Sequence, residues 1–184
     1  MGSITPIGPA LAATLVALVL IAAITDWRSR LIPNWLTVAA LATALAIHIA
    51  TGSWGGLRTS LSGFLVGFVV YLPFLLLRGM GAGDLKLMAA IGSIVGPTNC
   101  ILVFVLTSLA GGVIAIAVLL SRGRLAETLS NTAWILSELA HGRKPHEQRP
   151  ELALGSPKAV PLPYAIPIAL GALGYLAASG SLGR

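Results

Sequence analysis

The chain has 184 residues, of which 56% are hydrophobic and 10% are charged, and its mean hydropathy is +0.90. These values exclude an ordinary soluble domain and indicate an all-α integral membrane protein with one domain, residues 1–184. The net charge of +6 suits membrane lipid as a partner better than nucleic acid, because the cations follow the membrane topology described below.

Six apolar segments follow one another along the chain. A helix needs about 20 residues to cross a hydrocarbon core of ~30 Å, and on that scale the sequence predicts a bundle of about six transmembrane helices. Their expected bounds are 9–25, 34–50, 60–77, 84–96, 98–120 and 160–178. Because no Lys or Arg precedes the first segment, we expect a retained helix and not a cleaved signal peptide. The fourth helix is expected to be short or recessed, since its apolar stretch covers only about 17 Å.

A polar loop of about residues 121–158 separates the last two segments. Within it, apolar side chains recur at helical spacing and predict an amphipathic helix: Leu125, Leu129, Thr132, Leu136, Leu139 and Ala140. Two interpretations stay open, namely packing on the bundle and insertion at the lipid interface.

The cations fix the orientation of the predicted bundle. Ten of the 12 Lys and Arg residues fall on one side of the six helices, and Lys- and Arg-rich loops stay in the cytoplasm. We therefore expect a multi-pass protein of the cell inner membrane with both termini facing outward.

Two of the six acidic residues, Asp26 and Asp84, lie outside the polar loop. All four glutamates lie within it, whereas Asp26 and Asp84 are predicted at the cytoplasmic ends of two helices. An acid at membrane depth costs several kcal/mol, so a functional role is the first hypothesis. The structural alternatives are a helix-capping or first-turn role for Asp84 and an ion pair with Arg28 or Arg30 for Asp26.

Two carboxyl groups held together in a partly dry site tend to share one proton. The ionised member of such a pair can take a proton from water while the other donates to a scissile carbonyl, which is aspartic-protease chemistry. Gly81 and Gly83 would let an extended peptide backbone approach Asp84. A flexible loop between helices is the structural alternative for these glycines.

Two motifs resemble those of the prepilin peptidase family of membrane aspartic proteases. They are ITDWRSRLIPN, with Asp26, Ile32, Pro33 and Asn34, and GAGDLKL, with Asp84; a late PLPYAIP segment is also similar. The resemblance implies Asp26 and Asp84 as the catalytic aspartates. It also implies a prepilin substrate, whose short basic leader is cleaved at the cytoplasmic membrane face after a glycine.

The sequence departs from the family pattern in two ways. It has no N-terminal extension or cysteine-rich loop of the kind that larger members use for methylation, so it is similar to the short, peptidase-only members of the tight-adherence (Flp) type. In addition, Ala165 follows Tyr164 where the family usually has glycine.

The remaining candidates are Lys86, Pro33 and Asn34, which with Gly81 and Gly83 form an expected substrate-binding set. The alternative to substrate binding for Lys86 is a role as one of the cations that set the membrane topology. The alternative for Pro33 and Asn34 is that they form the start of a helix. We expect no metal and no cofactor, because two aspartates without a third ligand make a poor catalytic metal site.

Two other functions stay open at this stage. A proton-coupled transporter would use both aspartates as a relay, although such acids usually lie near the midplane. A non-catalytic membrane subunit of pilus assembly would use them as helix caps. The sequence does not indicate an oligomeric state.

Overall fold

The computed structural model describes residues 5–77, 80–123, 125–141 and 163–181. Within these residues all regular structure is helical, which confirms the predicted all-α class. The helices are α1 (Pro9–Ser29), α2 (Asn34–Leu76), α3 (Ala82–Val95), α4 (Pro97–Ser121), α5 (Leu125–Ala140) and α6 (Ala165–Ala178). Three of them, α1, α2 and α4, are long and apolar enough to cross a membrane, and α6 is a shorter apolar helix.

Helix α2 covers the two predicted segments 34–50 and 60–77 up to Leu76, and the break between them is shorter than residues 51–59. Only Ser53 leaves the helical region, with φ 48° and ψ −129°. A side chain at Gly56 would meet the backbone carbonyl of His48, so the absence of a Cβ at this position lets the chain reverse tightly.

The two halves of α2 pack on α3 in opposite directions. In the first half, Asn34 contacts Lys86 and His48 contacts the Ile94 carbonyl, so this half runs parallel to α3. In the second half, Gly63 lies against Gly92 and Gly67 lies against Met88, so this half runs antiparallel. Helix α2 is therefore a hairpin that clasps α3, and small residues allow the close approach.

Helix α3 occupies the centre of the bundle. It has only 14 residues, which confirms that it is short, and every residue from 84 to 95 except Lys86 is buried. At 1.5 Å per residue it extends about 21 Å, well short of a bilayer core.

Helices α4 and α6 close another side of the bundle. Gly171 lies against Thr107, and Gly111 lies beside Pro167, so α4 and α6 are antiparallel. The end of α4 therefore lies at the same end of the bundle as the start of α6.

Helix α5 confirms the amphipathic helix predicted in the polar loop. Leu129 and Leu136 are each 61% exposed, so the described part of the bundle leaves these two leucines of the stripe uncovered.

Candidate active site

Asp26 lies in the last turn of α1. This helix ends at Ser29, four residues beyond the expected end at residue 25. The carboxylate side chain is 8% exposed and follows Leu15, Val19 and Ala22 on the buried face. With 3.6 residues per turn, Asp26 therefore lies on the same face of α1 as these buried apolar residues.

Asp84 lies in the first turn of α3 and is also 8% exposed. Its N–H donates to the Gly81 carbonyl at 3.2 Å, and Gly81 is the N-cap residue. A Cβ at Gly81 would lie 3.4 Å from Oδ2 of Asp84, so glycine leaves room beside the carboxyl group.

The loop after α1 packs against the start of α3. A Cβ at Gly83 would lie 3.4 Å from Cβ of Ile32, so the two sequence motifs are in direct contact. The amide oxygen of Asn34 accepts a hydrogen bond of 2.9 Å from Nζ of Lys86. Pro33 is the N-cap residue of α2, as expected for the start of a helix.

These contacts place Asp26 and Asp84, both buried, at the same end of the bundle. We call this pair the dyad. Two buried carboxyl groups can act as general base and general acid on a bound water, because one member accepts a proton and the other donates one.

Sequence reasoning missed one direct partner of the dyad. The backbone N–H of Ala165, the first residue of α6, donates to Oδ2 of Asp26 at 3.1 Å. The PLPYAIP resemblance pointed to this segment, and the departure from glycine at Ala165 leaves the contact intact because the donor is a backbone amide.

Two tyrosines lie near the dyad; the PLPYAIP segment contains Tyr164, whereas sequence reasoning missed Tyr71. Tyr71 on α2 and Tyr164 before α6 both lie within electrostatic range of Asp84. Tyr71 is 2% exposed and packs edge-on against Phe104, with 5.8 Å between ring centroids. No pattern in the sequence marks Tyr71, since an isolated tyrosine in an apolar helix is an ordinary core residue.

A cavity of about 500 Å³ lies between α1, α2, α4 and the start of α6, and neither Asp26 nor Asp84 is among its lining residues. Its lining includes Trp27, which follows Asp26 in α1, together with Met80 and Tyr164, and the α4 side carries small residues that include Gly111 and Gly112. The lining is mainly apolar, so the cavity suits aliphatic or aromatic side chains better than charged ones.

Within the described part of the chain, no group of three or more His, Cys, Asp and Glu side chains is placed to hold a metal ion. In this part of the chain, the dyad could therefore offer a metal ion two carboxyl groups and no third side chain of these types.

Residues 13–116 match the type IV leader peptidase family. The chain belongs to this family. The match includes both aspartates, the α2 hairpin and α3, and it confirms the resemblance carried by the two motifs.

Several curated relatives are named prepilin leader peptidase/N-methyltransferase. The chain is 34% identical over 127 residues to the protein of that name from Aeromonas salmonicida (strain A449), which covers 65% of this chain and 44% of the relative. It is 33% identical over 119 residues to the one from Bacillus subtilis (strain 168), covering 63% and 47%. The chain thus spans less than half the length of these type IV leader peptidase relatives. No solved structure matches the chain significantly.

Proposed function

We propose that the chain is a membrane aspartic endopeptidase that removes the short basic leader from prepilin-type proteins. The observation that carries the proposal is the dyad: two buried carboxyl groups, from α1 and α3, lie at the same end of the bundle in a chain of the type IV leader peptidase family. One aspartate takes a proton from water, the other donates to the scissile carbonyl, and the roles reverse as the intermediate collapses.

The proposed site faces the cytoplasm of a cell inner membrane, with both termini outward. The clustering of Lys and Arg on the dyad side supports this orientation. The proposed substrate is a type IV or Flp-type prepilin.

The substrate-binding roles proposed for Gly81, Gly83, Lys86, Pro33 and Asn34 rest on their position around the dyad. The two glycines leave space at the start of α3 for an extended peptide. The Lys86 to Asn34 hydrogen bond ties the second motif to the start of α2. The apolar cavity is suited to side chains of the substrate next to the scissile bond.

The decisive experiment incubates the purified protein, in lipid nanodiscs, with a candidate prepilin and follows its shortening by mass spectrometry. We expect one cleavage in the leader with the wild-type protein and none with Asp26→Asn or Asp84→Asn, because an amide keeps the shape but cannot exchange the proton. A folded Asn variant with near-normal turnover would refute the dyad mechanism. A wild-type protein that leaves every tested prepilin intact would count against the peptidase function.

A further inference from the structure

The first turn of α6 has an unusual distribution of hydrogen-bond donors. Early N–H groups of a helix lack partners within the helix. Here Ile166 donates to the Pro163 carbonyl and Ile168 donates to the Tyr164 carbonyl, both at 3.3 Å, and Pro167 has no N–H. Ala165 alone sends its N–H to another helix, where Oδ2 of Asp26 accepts it.

This contact is enclosed by protein. Ala165 is 0% exposed and Asp26 is 8% exposed, so water is a poor substitute for either partner. A backbone amide in a packed helix cannot rotate away as a side chain can. The hydrogen bond therefore holds one carboxylate oxygen of Asp26 and leaves the other, Oδ1, for proton exchange.

We propose that the backbone N–H of Ala165 is a positioning group of the dyad, which holds Asp26 in the rotamer that serves Asp84 and the substrate. The inference rests on the proposed peptidase function and adds α6 to the site. It also explains why alanine is acceptable at this position, since the contact uses no side-chain atom.

The test removes the donor without changing the side chain. Replacing Ala165 by lactic acid, through nonsense suppression, converts its amide to an ester that lacks the N–H. The matched control replaces Ile166 by its hydroxy-acid analogue and removes a donor that bonds to the Pro163 carbonyl.

We expect the ester at 165 to lower kcat for prepilin cleavage on the order of 10-fold to 100-fold, with KM unchanged and an altered pH–rate profile. The ester at 166 should keep the wild-type kcat and pH–rate profile. Equal kcat values and profiles for the two esters would overturn the proposal. An inactive wild-type protein would instead refute the peptidase function.

If the ester at 165 does not fold, the contact is tested from the other partner. Asp26→Asn keeps an oxygen that can accept from Ala165, whereas Asp26→Ala does not. A lower melting temperature for Asp26→Ala than for Asp26→Asn supports the contact, and equal melting temperatures overturn it.

Discussion

The close packing of α2 on α3 predicts that Gly67→Ala destabilises the protein. A Cβ at Gly67 would lie 2.9 Å from the Met88 carbonyl carbon and 3.0 Å from Cα of Ala89. Since ordinary contacts of this kind are about 3.5–4 Å, the helices must separate by roughly 0.5–1 Å. The obstacle is backbone, which has no alternative rotamer.

The expected net effect follows from two opposing terms. Overpacking costs about 1–3 kcal/mol, and a rigid backbone neighbour favours the upper part of that range. Replacing glycine by alanine within a helix returns up to ~1 kcal/mol. A net loss of about 1–2 kcal/mol should lower the melting temperature by about 2–8 °C for a chain of this size. Met88 is one turn beyond Asp84, so kcat should also fall.

The matched control is Gly55→Ala in the same helix. A Cβ at Gly55 would meet nothing within 4 Å, so this variant should be neutral or slightly stabilised. Thermal unfolding of both variants in the same detergent, with prepilin cleavage measured in parallel, tests the sign of the difference. A Gly67→Ala protein that melts at or above the Gly55→Ala protein would show that the two helices are not in close contact.

Three further predictions concern the site. The double variant Asp26→Asn/Asp84→Asn should be no less active than either single variant, because the dyad works as a unit; a further additive loss in kcat would indicate independent roles. A strong chelator should leave cleavage intact, because two carboxylates are too few ligands for a catalytic metal; loss of activity that a divalent ion restores would contradict this. Gly112→Leu should raise KM for prepilin with little effect on folding, since a Cβ there meets nothing within 4 Å and the residue lines the cavity. Gly55→Leu serves as its control, and equal KM values for the two variants would exclude the cavity as a substrate site.

The extent of the helices was largely predictable from hydropathy. The apolar segment 98–120, for example, became α4 with ends within one residue. The connection between 50 and 60 was not predictable, because its glycines and polar residues are typical of a loop. The reversal needs only one non-helical residue, Ser53, and it depends on the contact between Gly56 and His48, which hydropathy does not register.

The two aspartates of the candidate site were predictable from the sequence, whereas Tyr71 and the Ala165 amide were not. Asp26 and Asp84 were conspicuous because acids are rare in apolar helices. The Ala165 amide is separated from Asp26 by 139 residues and carries no residue-specific signature, since nearly every residue has an N–H. Only the packing of α6 against α1 selects this one.

The central position of α3 has a consequence for biosynthesis. A segment of 14 residues that begins beside an aspartate and a lysine is a weak substrate for independent insertion into a bilayer. The hairpin of α2 is synthesised first and offers α3 a groove lined by protein in place of lipid. The segment that carries Asp84 should therefore insert into the membrane together with α2. Because α2 is synthesised first, Asp84 can pack against protein and avoids the cost of exposure to lipid.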